Sequence, residues 1–298
     1  MIERTYISFF IILFLLIFDS CHFANSQVYL AKDFQNSSNF VESIPLPYNE
    51  SERVREDLYA LFASYRMSCT GIEITEKNEL YVIMRNGARI LYDDRKHKSF
   101  EEKLANPDLK DMLEQKYVPG PVKENPAENF DPGRIRVIPF FQAIYGETQK
   151  DVIRNTLNIE FVKHHVAFNS IEGASAALQK VHKNLSILIK EKPELTKYVV
   201  SIAGTLKWRV IAGTQRLSPH SFAMAIDINP NQGAYWRWWA KGDIANIRRE
   251  YPQSIISIFE EQGFIWGGKW YHYDLMHFEY RPELLLKHWN GERGKNDL

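Results

Sequence analysis

The chain has 298 residues, 45% hydrophobic and 25% charged, an ordinary globular composition long enough for one large domain or two small ones. Lys plus Arg and Asp plus Glu each total 37, and the zero net charge excludes the broad basic field that holds nucleic acid by its phosphates. With only two cysteines, Cys21 and Cys69, the chain supports neither a disulfide framework nor a zinc site built mainly of thiolates.

Arg4 precedes an apolar run from Tyr6 to Phe18, broken only by Ser8. The run is shorter than the about 20 residues a membrane-spanning helix needs, and it fits the apolar region of a secretory signal. Ala24-Asn25-Ser26 then offers a small-x-small cleavage site, so residues 1–26 read as a signal peptide. Two other readings stay open: an uncleaved anchor, and a lipoprotein signal acylated at Cys21, from whose usual pattern Phe18 and Asp19 depart. The expected location is outside the cytoplasm, in the periplasm or cell envelope, with membrane contact only through such an anchor or lipid. Cys69, left alone by cleavage, is expected as a small buried residue.

Residues 27–50 are mostly polar and read as a linker. Ser51 is placed as an N-cap, predicting a helix from Glu52 to Tyr65. The stretches Gly71–Thr75, Glu79–Met84 and Ala88–Tyr92, with Asn86-Gly87 between the last two, predict a meander of three strands. Helical patterning from Ser99 to Gln115 is expected to break at Pro107. The Pro-rich stretch from Tyr117 to Pro132 reads as a surface connection, and apolar Arg136–Tyr145 as a segment packed on the C-terminal part. Ala177, Leu178, Val181, Leu185 and Leu188 predict a helix from Ile171 to Glu191, and Glu194–Gly204 a second short one. Short strands and loops rich in aromatics follow. The domain reading is a region of mixed helix and strand with no assigned role over 51–150, and a chemistry-bearing domain over 151–298.

The chemistry concentrates at His220, Asp227 and His277. Asp227 lies in the apolar run Ala225-Ile226-Asp227-Ile228, and strand alternation puts it on the face of Ala225, opposite Ile226 and Ile228. A carboxylate there needs a cationic partner: a metal, or Arg209 or Arg216, unless that face is solvated. His277 opens a predicted strand in which Phe278 and Tyr280 face the core while His277 and Glu279 share the other face. Single histidines are usually only satisfied polar residues. That reading is given to His97, His164, His165, His182, His288 and His272, the last standing close to Asp274. Two imidazoles and one carboxylate, however, make a normal catalytic zinc set, with a fourth position for a water whose pKa zinc lowers to about 7. Hydrolysis also needs a carboxylate base, and Asp274, three residues before His277, reaches the same centre only if the chain turns between them.

The text Ser218-x-His220-Ser221-Phe222-Ala223-x-Ala225-Ile226-Asp227-Ile228, followed by Trp270-x-x-x-Asp274-x-x-His277-Phe278-Glu279, resembles the zinc D-Ala-D-Ala carboxypeptidase and L-Ala-D-Glu endopeptidase family. That family includes vancomycin-resistance enzymes and phage endolysins, and the match looks closest to its endopeptidase-like branch, over roughly residues 150 to 285. The resemblance implies an α+β fold, with a small antiparallel sheet carrying the metal site and helices packed on it, here preceded by an N-terminal α+β extension. It implies one zinc ion on His220, Asp227 and His277, Asp274 as the catalytic carboxylate, and peptidoglycan stem peptides as substrate. An arginine upstream of the first His is expected to steady the developing oxyanion. Arg216, four residues from His220, is favoured over Arg209. Ser218 reads either as a hydrogen-bonding group beside the site or as a turn residue. Trp270 and the surrounding aromatics read either as a substrate platform or as packing. One departure stands out: Ala223 occupies a position where the family usually has Gly, which is tolerated unless the backbone there needs a positive φ. Two rival readings remain, an inactive wall-binding module on the same fold and a non-haem iron oxygenase, the second weakened by the seven-residue spacing from His220 to Asp227.

Overall fold

A computed structural model describes residues 26–34, 36–47, 51–231, 233–238 and 243–287. The signal segment with Cys21, and also Trp239 and His288, lie outside the described residues. No described helix is long and apolar enough to cross a membrane.

The N-terminal part is built from strand β1 (Gln27–Leu30), helices α1 (Ser37–Glu42) and α2 (Ser51–Ser64), and strands β2 (Cys69–Ile74), β3 (Leu80–Met84) and β4 (Arg89–Leu91). The strands form one antiparallel sheet in chain order. The expected meander is present, and Gly87, at φ 86°, turns β3 into β4. The polar linker expected over 27–50 is corrected. Its residues 27–30 hydrogen-bond along β2, and α1 buries Phe40 and Val41. The side chains of β1 stay largely outside the core, so backbone pairing alone recruits the strand and polarity hides it.

Pro107 separates α3 (Phe100–Ala105) from α4 (Leu109–Leu113), and each starts with a capping box, Ser99 with Glu102 and Asp108 with Asp111. Helices α5 (Ile138–Tyr145) and α6 (Gln149–Arg154) lead into a hairpin of β5 (Thr156–Phe161) and β6 (His164–Asn169). Helix α7 (Ala174–Glu191) buries Ala174, Leu178, Val181 and Leu185 along one stripe. The second short helix is a 3-10 turn over Pro193–Tyr198, followed by strand β7 (Ile202–Gly204). Strand β8 (Ala225–Ile228), helices α8 (Ile244–Glu250) and α9 (Gln253–Glu260), and strands β9 (Phe264–Trp266) and β10 (His277–Tyr280) complete the fold, with the second sheet ordered β7-β8-β10-β9. The α+β class and the small antiparallel sheet agree with the expectation.

One continuous apolar core runs from Phe40 to Leu285 and does not divide near residue 150. Buried polar contacts cross the same line: Tyr65 donates to Glu283 at 2.6 Å, Tyr117 to Glu260 at 2.6 Å, and Lys287 pairs with Asp57. Cys69 is buried and free. A fragment starting at residue 151 would take Arg136 from Glu279, Asp57 from Lys287, Tyr65 from Glu283 and Tyr117 from Glu260, at about 3–5 kcal/mol for each broken buried ion pair. We expect that fragment to lack cooperative unfolding and dispersed amide signals. A well-dispersed amide spectrum from it would show that the N-terminal part is dispensable for folding.

Candidate metal centre

Strands β8 and β10 pair antiparallel with His277 directly opposite Asp227 and Phe278 opposite Ile226. The alternation read from sequence holds. Phe278 goes to the core, stacking on Phe259 with centroids 3.9 Å apart, while His277 and Glu279 share the other face. His277 Nδ1 lies 2.9 Å from Asp227 Oδ1, and its Nε2 lies 3.1 Å from Glu279 Oε2.

His220 arrives from a 3-10 turn over Pro219–Phe222. Ser218 caps that turn by accepting the His220 backbone N–H, so this hydroxyl positions the turn. His220 Nδ1 lies 2.9 Å from the Thr205 carbonyl. A carbonyl only accepts, so Nδ1 carries the hydrogen and Nε2 faces Asp227 Oδ2, 3.1 Å away. One ligand atom from each of His220, Asp227 and His277 lies within 4.8 Å of the others, and both imidazoles have their second nitrogen fixed from behind. Asp93, Asp94 and Asp108 also cluster, but Lys98 Nζ sits 3.0 Å from Asp94 and 3.1 Å from Asp108, and Lys110 Nζ 2.8 Å from Asp93, so lysines supply their counter-charge.

The turn required between Asp274 and His277 is present. The His277 N–H donates to the Asp274 carbonyl at 3.2 Å, and the Asp274 N–H to the Gly267 carbonyl at 3.0 Å. A Cβ on Gly267 would stand 2.7 Å from the Asp274 carbonyl oxygen, so this close approach needs glycine. Asp274 Oδ1 is buried with no hydrogen-bond partner, the state of a group whose working partner is a ligand. Burial, and then the charge of Asp227, push its pKa above the ordinary carboxylate range. Burial opposes the charge on His277, but the hydrogen bonds it donates to Asp227 and Glu279 outweigh it and push that pKa up to about 9. Burial likewise opposes the charges of Asp227 and Glu279. The imidazoles hold Asp227, and Arg136 with His277 and Arg281 hold Glu279, well below the usual carboxylate range.

These groups open into a cavity of about 90 Å³ that Arg209, Arg216, Ser218 and Trp270 also line. Arg209 and Arg216 flank a small bridge between Val210 and Leu217. Burial, and then the nearby Arg136, Arg134 and Arg237, push Arg216 down to about 10. Trp270 is only 2% exposed and donates its indole N–H to the Pro132 carbonyl at 2.7 Å, so it walls the cavity and is not an open platform. Among the described residues, the exposed rings of the region are Trp238, 75%, and Tyr271, 42%. His272 pairs with Asp131 at 2.6 Å.

Sequence reasoning missed Arg134 and Arg136, which also line the cavity together with Tyr235, one of the aromatics read as platform or packing. The two arginines come from the segment before α5, whose backbone docks on the loop ahead of Asp274: the Tyr271 N–H donates to Phe130 O at 2.9 Å, and Arg134 Nη1 to His272 O at 3.0 Å. Their only trace in the sequence is a charged residue on each side of Ile135 in an otherwise apolar stretch.

An imidazole and a carboxylate on paired antiparallel strands, joined by a second imidazole from a turn and set beside a carboxylate with one partnerless oxygen, make a centre suited to metal-assisted hydrolysis. Residues 212–280 match the family model described as D-alanyl-D-alanine carboxypeptidase. The resemblance read from sequence therefore holds over that segment and supports a peptidase at the family level. The match takes in His220, Asp227, Asp274 and His277 and leaves Arg134, Arg136 and Arg209 outside it. No curated protein and no solved structure matches the chain significantly.

Ala223, where a Gly was expected, has φ 50° and ψ 37°, so the backbone does need the left-handed region. Its N–H donates to the His220 carbonyl at 3.1 Å, and its own carbonyl accepts from Asn169 at 2.9 Å. Ala→Gly would relieve roughly 1–2 kcal/mol of strain, but it would lose the burial of a methyl group and add chain entropy, each of order 1 kcal/mol. We expect Ala223→Gly to shift stability by less than about 1 kcal/mol, and Ala223→Val, β-branched at positive φ, to cost more than about 2 kcal/mol. Urea unfolding of both variants would check this, and a neutral Ala223→Val would show that the strain is not there.

Proposed function

We propose that this protein is a zinc-dependent peptidase of the cell envelope that hydrolyses peptide bonds in peptidoglycan stem peptides, as a carboxypeptidase or an endopeptidase. The observation that carries this reading is the convergence of His220 Nε2, Asp227 and His277 Nδ1 within 4.8 Å beside the partnerless oxygen of Asp274. The donor set fits zinc: borderline nitrogen ligands plus one carboxylate, with three positions filled by protein. Zinc held there supplies Lewis-acid polarisation of the scissile carbonyl and acidifies an attacking water. Asp274, its basicity raised by burial, accepts the proton of the attacking water and returns it to the leaving amine. Arg216, with Arg209 on the same wall, faces the charge that develops on the carbonyl oxygen. A signal over residues 1–26 would deliver the chain to this substrate, with any membrane contact made by an N-terminal anchor or a lipid on Cys21.

We expect the purified, zinc-loaded chain to shorten defined stem peptides, with mass spectrometry of the products identifying the bond. Asp274→Asn should lower kcat by roughly 100- to 10,000-fold with zinc still bound in equal amount to protein. Intact peptides after prolonged incubation with the zinc-loaded protein would sink the reading.

The sign of the pH dependence follows from His277. Its pKa stands above the about 6.5 of a free imidazole, so protonation stabilises the metal-free protein fully below that value. The contribution is lost as pH rises through about 9. Zinc must displace that proton, so its apparent affinity should climb by up to about tenfold per pH unit towards pH 9. Chelator competition across that range checks it, and a flat profile would contradict the assignment of Nδ1 as a ligand.

A further inference from the structure

We propose that Arg136 is a positioning residue of the metal centre, acting through Glu279 on His277, so that the region before residue 151 completes the site. The inference rests on reading His277 as a metal ligand.

Arg136 is 4% exposed and Glu279 is fully buried. The guanidinium grips the carboxylate as a fork, Nε donating to Oε1 at 2.8 Å and Nη2 to Oε2. Oε2 is also the oxygen that receives His277 Nε2, at 3.1 Å. One oxygen therefore joins the arginine to the imidazole, and the plane of the fork fixes where that oxygen points. With Nε2–H committed backwards, the Nδ1 lone pair is aimed at Asp227 and the shared centre, and the imidazole gains basicity.

Other groups do not duplicate this grip. Arg281 reaches Glu279 Oε1 only at 3.3 Å. Its Nε is committed to Glu283 at 2.5 Å, and its Nη1 is shared with the Gly133 carbonyl at 2.8 Å. Arg136 is itself set in place by Nη1 donating to the Arg134 carbonyl at 3.1 Å and by the Trp270 ring 5.8 Å away. Opposite Glu279 in the sheet stands Ala225, too small to hold the carboxylate. The fork comes from outside the segment that matches the family model. The matched segment thus carries the ligands but not the group that orients the back of one of them.

A buried ion pair that only tied the two halves together would affect folding and leave the metal affinity of folded protein unchanged. The test is zinc affinity of the full chain, by competition with a chromophoric chelator, in the parent, Arg136→Met, Arg136→Lys and Glu279→Gln. Circular dichroism in the near ultraviolet selects conditions where each is folded. We expect Arg136→Met and Glu279→Gln each to weaken zinc by roughly 10- to 100-fold, the size of effect seen when a ligand's outer partner is removed. Arg136→Lys, which keeps the charge and loses the fork, should fall between them and the parent. Adding Arg136→Met to Glu279→Gln should change little further. Folded Arg136→Met that binds zinc within about threefold of the parent would overturn the proposal, because an outer partner of this kind is worth more. If Arg136→Met does not fold, parent-like affinity in Glu279→Gln overturns it equally. A parent chain that binds no zinc would instead remove the metal-centre reading itself.

Discussion

The antiparallel register of β8 and β10 is the constraint on which the site depends. It sets His277 opposite Asp227 and, by alternation, sends Phe278 and Ile226 into the core on the other side. A slip of β10 by one residue would place Phe278 against Asp227 on the polar face and turn His277 and Glu279 into the apolar layer, so the core itself enforces the register. The stacked contact of Phe278 with Phe259 on α9 is part of the same lock. Packing energy on one face thus sets ligand geometry on the other.

The remaining groups are brought to that pair by backbone hydrogen bonds. His220 comes on a single turn capped by Ser218 and closed by Ala223, whose left-handed backbone sends the chain straight into β8. Asp274 comes on a loop clamped between Gly267 on one side and the segment before α5 on the other. This clamp explains why the Pro-rich stretch expected as a surface connection matters to the centre. Its last residues, Phe130 to Pro132, accept backbone and indole hydrogen bonds from Tyr271 and Trp270.

What the sequence showed and what it hid divide along local and non-local physics. The β2–β4 meander, the break at Pro107, the stripe of α7 and the facing of β10 all follow from spacing of a few residues, and they were readable. The β5–β6 hairpin was not, because its turn is made by Val162-Lys163. Val162 takes φ 55° with no Asn or Gly to announce it, and its N–H is held by His182 Nδ1 at 2.8 Å. The edge strand β1 was hidden for a related reason: its pairing uses backbone groups and its side chains carry no alternation. The His220, Asp227, Asp274 and His277 set was visible as residue types with a recognisable spacing. Arg134 and Arg136 were invisible because the groups that give them a role, the His272 carbonyl and Glu279, lie far along the chain, on and beyond the loop ahead of Asp274. The expectation about Ala223 was stated as a condition on φ, and the structure shows that the condition applies.

Burying so much charge beneath a sheet is tolerable only because the signs alternate. From the centre inwards the chain runs His277, Glu279, then Arg136 and Arg281, then Glu283, which accepts from Tyr65, the residue after α2. Each charge has an opposite neighbour in hydrogen-bond contact, and the series ends on a phenol that carries no charge at neutral pH, its pKa raised well above normal first by burial and then by Glu283. Such a network gives little net stability over an apolar core of the same volume, but removing any one member leaves an unpaired charge in a low-dielectric interior. Its cost in stability is therefore bearable while its geometry is rigid, and rigidity is what a ligand imidazole requires. The same alternation accounts for the continuous core. The negative charges sit on β10 and just after it with Arg281 between them, while Arg136, the main counter-ion of Glu279, and the terminal phenol come from the N-terminal part. Neither half can bury its share without the other, and the metal centre inherits its order from that mutual dependence.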